Sequence, residues 1–190
     1  TLYSIAYYAH RAGYQVGITT SVSIDHATPA AFYAHQKARK MYHRIGHDLL
    51  KSGYRFFGGG GFLDVDGDNC KTKMGNIFKK AEELKYFHTQ SLTIPDSIKE
   101  KYSSIIYSTP NPAEESTLKY SIDNKVGDVS LADVTNLAID VLDNPNGFFL
   151  MVEGGKIDWA AHYNDAATTI YDVVAFSDAI DVALEFYQLH

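Results

Sequence analysis

"FFLMVEGGKIDWAAHYND", Phe148 to Asp165, sets five consecutive apolar residues against Glu153, two glycines and a polar stretch of helical character. An unbroken apolar run from Phe148 to Val152 suits a strand buried on both faces, and such strands belong to parallel sheets covered by helices. Upstream, Asn144-Pro145-Asn146-Gly147 is a turn, preceded by a helical pattern that Ser130 caps and that runs through Leu142. Downstream, Asp165 to Tyr187 reads as a long helix with apolar positions at Ile170, Val173, Val174, Ala179, Ile180 and Leu184. Helix, buried strand and helix in that order predict an α/β fold with a mostly parallel sheet flanked by helices.

The rest of the chain repeats that alternation. Leu2 to Ala12 has helical spacing and ends at Gly13, and Tyr14 to Thr20 is a β-prone run. Thr28 and Pro29 supply an N-cap hydroxyl and a first-turn proline, which predicts a long central helix over Ala30 to Lys51. "GYRFFGGGGF", Gly53 to Phe62, is a short strand entering four glycines, read as a turn near a domain rim. Helical pattern resumes from Met74 to Tyr86. Ser103 to Thr109 is a further strand, and Pro110 to Asp128 is a polar connection with little regular structure. Residues 1–190 read as the internal portion of a single domain, with 61–128 its least characteristic part.

Composition narrows the partners. The chain has 190 residues, 45% of them hydrophobic, which is enough to bury a core, and its formal charge of -6 argues against nucleic acid or an anionic membrane as a partner. No run approaches the roughly 18 apolar residues that span a bilayer. The single cysteine, Cys70, excludes an internal disulfide and reads as an inert loop thiol. The chain starts at Thr1 without a visible signal peptide, and His190 closes a helical pattern without a stop signal; both ends are expected to be cut.

Two polar clusters follow predicted strands, where open parallel sheets collect their ligands. One holds Asp25, His26 and Thr28; the other holds Glu153, Asp158 and His162. Asp158 and His162 are four apart, so on a helix they point the same way and offer a carboxylate oxygen and an imidazole nitrogen to one zinc, or form a plain surface pair. Glu153 with the Thr28 hydroxyl suits magnesium, although capping alone also accounts for Thr28. Arg39, eleven residues after Thr28, falls near the same face if the helix is continuous, and its fork suits a phosphate. Asp64 to Cys70 begins like a calcium loop but has Asn69 sixth and Gly75 twelfth, and His43 and His47 fit a solvated helix face.

Together "TTSVSIDHATPAAFYAH", Thr19 to His35, and Phe148 to Asp165 resemble the alkaline phosphatase family in two long motifs in the right order. The resemblance implies that Thr28 and Glu153 are magnesium ligands, that Asp158 and His162 hold one zinc, and that Arg39 binds the substrate phosphate. It places His26 and Trp159 around the metal ligands, in a combination that looks like some marine and environmental bacterial members. It further implies phosphate monoester hydrolysis through a phosphoserine, with two zinc ions and one magnesium in the parent protein, the zincs about 4 Å apart. A homodimeric parent, periplasmic or secreted, is implied as well.

The family's nucleophilic serine motif and its remaining zinc ligands have no counterpart among these 190 residues, so the chain alone is expected to be inactive, possessing two ligands of one zinc and two of the magnesium. The alternatives are a related phosphodiesterase or sulfatase-like hydrolase, and a non-catalytic binding module retaining the motifs.

Overall fold

The computed structural model describes residues 2–189; Thr1 and His190, on which the expectation of cut ends rests, lie outside the described residues. Five parallel strands form one sheet: β1 (Gln15–Thr20), β2 (Phe56–Gly59), β3 (Tyr86–Thr89), β4 (Ser104–Ser108) and β5 (Phe148–Glu153). Their spatial order is β3-β4-β2-β1-β5, and the register sets Thr20 opposite Glu153 and Gly59 opposite Ser108. The α/β architecture expected from the sequence is therefore the one observed.

Period-two alternation sends neighbours to opposite faces, and helices cover both. Phe57 and Ile106 join Val16 and Ile18 in a core closed by α3 (Tyr42–Ser52) and α4 (Ile77–Glu83). Phe56, Ile105 and Tyr107 face the other way, against Val134, Leu137 and Ala138 of α6 (Leu131–Leu142) and Ala179 of α8 (Ala166–Leu189). Helix α6 begins as read, on a capping box in which the Ser130 hydroxyl accepts from the Asp133 N–H and the Asp133 carboxylate accepts from the Ser130 N–H. The remaining helices are α1 (Ile5–Arg11), α2 (Ala27–Ala30), α5 (Asp96–Lys101) and α7 (Gly155–His162).

Several expectations are corrected. No helix runs from Ala30 to Lys51: α2 stops after four residues, an irregular stretch follows, and α3 starts at Tyr42. Thr28 is not a cap, because His26 occupies the N-cap position and Thr28 lies inside α2 with its side chain exposed. The helix read over Met74 to Tyr86 is shorter, and β3 and α5 were not anticipated, since "YFHT" is too short and mixed to show a period.

The glycines of Gly58 to Gly61 are no rim turn. All four are buried, and a Cβ on Gly60 would lie 2.0 Å from the Ser116 carbonyl oxygen, so the backbone there passes too close for any side chain. His43 and His47 are not on a solvated face either: they are 1% and 4% exposed. Because the Met74 N–H donates to His43 Nε2 at 3.1 Å, His43 Nδ1 carries the proton and donates to the Asp64 carbonyl at 3.0 Å, which pins both ends of the loop over 64–74.

Strand β5 is only partly buried along its whole length, because among the described residues it pairs with β1 alone and forms a sheet edge. The apolar stripe of α8 departs similarly. Ala179 is buried, but Ile170, Val173, Val174, Ile180 and Leu184 are exposed. Among the described residues no helix is long and apolar enough to cross a membrane.

Candidate functional site

The carboxyl ends of β1 and β5 lie side by side, and the two polar clusters meet there. The Thr20 hydroxyl donates to Glu153 Oε2 at 2.6 Å and accepts from the Val22 N–H at 3.1 Å. The Ser21 N–H continues the ladder to the Glu153 carbonyl at 3.0 Å. The Glu153 carboxylate is thus held at the sheet's rim by its strand partner. Chain packing is tight at this corner: a Cβ on Gly155 would stand 2.9 Å from Val22 and 3.3 Å from the Glu153 carboxyl carbon. That is one reason for the glycine pair at the strand-to-helix turn.

Helix α7 leaves this corner and carries Asp158 and His162 on its outer face. Asp158 Oδ1 and His162 Nε2 are 3.5 Å apart, with side chains 73% and 78% exposed respectively. A tetrahedral ion with bonds of about 2.0 Å holds its ligand atoms roughly 3.3 Å from one another. Oxygen and nitrogen donors already near that separation and open to solvent fit two positions of a zinc shell. Among the described residues no third His, Cys, Asp or Glu joins them in a cluster, so these two donors do not by themselves close a site.

Arg39 reaches the site from the irregular stretch between α2 and α3, not from a helix as its spacing suggested. Its Nη2 lies 3.0 Å from His26 Nε2, and the His26 ring stands edge-on to Trp159 of α7 at 5.7 Å between centroids. A guanidinium can only donate, so His26 Nε2 accepts and its Nδ1 carries the hydrogen. That Nδ1 is buried without a hydrogen-bond partner. Burial first, and the Arg39 charge second, lower the His26 pKa, while Glu153, Glu115 and Asp158 pull it upward. His26 therefore accepts at Nε2 and leaves Nδ1 as an unused donor.

Asp25 lies deeper. It is fully buried, accepts from the Leu63 N–H at 3.0 Å, and burial raises its pKa to about 6. It anchors the loop after β1 and offers nothing to solvent. Five of the residues singled out in the sequence, His26, Arg39, Glu153, Asp158 and Trp159, are linked through contacts or mutual charge effects, and His162 joins them through Asp158. Thr28 is on the same loop-helix segment as His26, and Glu153 is engaged by Thr20 instead. Thr20, the residue sequence reasoning missed, becomes legible only from strand register.

Beside this corner opens a cleft of about 870 Å³, between α7 and the segment around residues 113–125. Lys156 forms its inner end: its ammonium donates to the Thr117 hydroxyl at 3.2 Å and lies 3.6 Å from the Tyr120 ring centroid and 5.2 Å from that of Trp159. Burial lowers the Lys156 pKa, against the opposing pull of Asp172, Asp123, Glu115 and Glu114.

Comparison with known proteins supplies the frame for these contacts. The alkaline phosphatase family model matches residues 1–53 and 113–189, more than half of the chain. Alkaline phosphatase 4 of Bacillus subtilis is 32% identical over 186 residues, covering 94% of this chain and 38% of that protein. A variant of the alkaline phosphatase from the Antarctic bacterium TAB5, with magnesium bound in its M3 site, superposes with a TM-score of 0.82 at 28% identity, covering 99% of this chain and 52% of that one. The cold-active alkaline phosphatase of Shewanella sp. gives 0.79 at 30% identity, over 100% of this chain and 44% of that one. The chain therefore spans well under two thirds of the length of these relatives.

Proposed function

This chain belongs to the alkaline phosphatase family, and we propose that it forms one wall of a metal-dependent site that hydrolyses phosphate monoesters through a phosphoserine in the whole protein. The observation that carries the reading is the Arg39–His26–Trp159 contact series, which sets a guanidinium beside the helix bearing Asp158 and His162 at the rim where Glu153 stands.

In this reading Asp158 and His162 hold a zinc ion, while Glu153 and Thr28 hold magnesium, and a second zinc completes the set. When bound, these ions neutralise phosphoryl charge and activate the attacking and leaving oxygens. The chain's own residues do the positioning. Arg39 presents paired N–H donors to the equatorial oxygens of a phosphate, and its approach to His26 limits the rotamers it can sample. Thr20 keeps one Glu153 oxygen engaged, so the carboxylate is oriented before any ion arrives. His26 keeps its Nδ1–H available for a water or oxygen near the magnesium position, and Trp159 holds the imidazole plane. The magnesium in the M3 site of the TAB5 variant supports a magnesium position in this family's scaffold. A homodimeric whole protein, periplasmic or secreted, is part of the same proposal.

The test is hydrolysis of p-nitrophenyl phosphate by the whole protein with zinc and magnesium supplied. Activity lost on chelation and restored by both metals is the expected result, with Arg39→Ala lowering kcat/KM on the order of 10²-fold. Turnover indifferent to chelator or to Arg39→Ala would overturn the reading. The 190 residues alone, with two donors of a four-coordinate shell, are expected to be inactive.

A further inference from the structure

The basic residues of the chain are unevenly spread. No acidic residue falls between Asp25 and Asp48, while Lys37, Arg39, Lys40 and Arg44 all do, in a chain of formal charge -6. Arg39 is turned toward His26, at 3.0 Å. Lys40 and Arg44, on either side of the start of α3, instead line a separate hollow of about 220 Å³, which Asn69, Cys70 and Lys71 of the loop over 64–74 line as well. Among the described residues the side chains of Lys40, Arg44 and Lys71 have no hydrogen-bond or ion-pair partner. The aspartates of the loop are engaged elsewhere. Asp64, 7% exposed, accepts from the Asp68 N–H, Asp66 accepts from the Asn76 amide, and Asp68 pairs with Lys73 at 2.9 Å.

Three uncompensated cations around one hollow repel one another, and an anion between them turns that repulsion into attraction. Ammonium and guanidinium groups can only donate, so the occupant must present several acceptor oxygens, which the planar fork of Arg44 can take in pairs. Size sets a further condition. The hollow is smaller than the roughly 300–1,000 Å³ of pockets for drug-sized ligands, and at about 30 Å³ per water it has room for one compact ion with part of its hydration. We propose that Lys40, Arg44 and Lys71 form a binding site for a doubly charged tetrahedral oxyanion, sulfate or phosphate. This site is separate from Arg39 and does not depend on the phosphatase reading.

Cys70, the only cysteine of the chain, lies in the wall of the hollow, half-buried, so its alkylation reports on the occupant without any measurement of turnover. In the whole protein the reaction of neutral iodoacetamide is followed on the peptide that carries Cys70. Sulfate is the first probe, because it is neither substrate nor product of phosphate ester hydrolysis. It should slow alkylation saturably and at least about threefold, whereas potassium chloride of the same ionic strength should not. Phosphate at pH 8 should protect with a midpoint close to that of sulfate. Lys71→Gln, at an exposed loop position, and Arg44→Gln should each raise the sulfate midpoint several-fold with an unchanged circular dichroism spectrum. Arg39→Ala should leave it where it is.

Absence of protection by sulfate, or equal protection by chloride, overturns the proposal. So does protection that survives both Lys71→Gln and Arg44→Gln. Protection by phosphate alone would overturn recognition by charge and shape. A midpoint that moves in Arg39→Ala as far as in Lys71→Gln would assign the anion to Arg39 and overturn a separate site.

Discussion

Thr20 and Glu153 face each other across the β1–β5 pair, and the threonine hydroxyl holds the carboxylate at 2.6 Å. Under the proposed magnesium role of Glu153, this contact would join strand register to metal binding, because a slip of either strand would leave Glu153 without its orienting partner.

Thr20→Val should therefore weaken magnesium binding while keeping the side chain's shape. In a thermal melt, the rise in Tm produced by millimolar magnesium should shrink in the variant. Basal stability should also fall by about 1–2 kcal/mol, since the Val22 N–H loses its acceptor. Thr20→Ser should restore both, and a magnesium response unchanged in Thr20→Val would count against the orienting role.

Asp25 predicts a pH dependence. Its carboxyl is fully buried and its pKa is raised from 3.8 to about 6, chiefly by burial, with the Asp64 charge adding to the rise and the hydrogen bond from the Leu63 N–H opposing it. The folded state then binds more protons than the unfolded state between those values, so stability falls as pH rises from about 4 to 6 and levels off above. The span is on the order of 3 kcal/mol. Denaturation across this window should show that slope in the wild type, and Asp25→Asn should flatten it.

His43 closes the loop over 64–74 with one bond given and one received. His43→Ala removes both and opens space in a buried site, which should cost about 2–4 kcal/mol in urea denaturation. Protease cleavage should appear first within 64–74. Retention of wild-type protection there would show that the loop is held by other contacts.

The open edge of β5 and the exposed Ile170 and Val174 of α8 predict self-association of the isolated chain. Sedimentation coefficients should rise with concentration, and the pair Ile170→Lys with Val174→Lys should hold the chain to lower mass. A monomer at every concentration would refute this.

Much of the fold was legible in local chemistry. Ser130 announced α6, Gly13 closed the first helical segment, and the run from Phe148 to Val152 identified a parallel strand. The strand's burial was not legible, because composition reports affinity for a core but not how many neighbours are present. Thr28-Pro29 looked like a helix start, yet the chain turns out of α2 after four residues, and no local signal marked the irregular stretch that carries Arg39. His43 and His47 read as surface because their spacing is that of any exposed helix face; their partners, Asp64, Met74 and Gly75, are separated from them by more than a helical turn. The candidate residues were singled out by type, whereas the contacts they make, Thr20 on Glu153 and Arg39 on His26, depend on tertiary placement.

The irregular approach of Arg39 changes how its position can be adjusted. A residue fixed on a long helix can move only by rotating or sliding the helix, which disturbs everything packed beneath it. Arg39 hangs instead on the exposed part, residues 37–40, of the segment between α2 and α3. Adding or removing one residue within the exposed stretch 37–40 would shift the guanidinium by a few ångströms, at about 3.3–3.6 Å of reach per residue, at positions that pack against neither buried cluster. Tether length is thus a separate dial for the reach of the guanidinium, adjustable by natural variation or by design independently of the sheet beneath it.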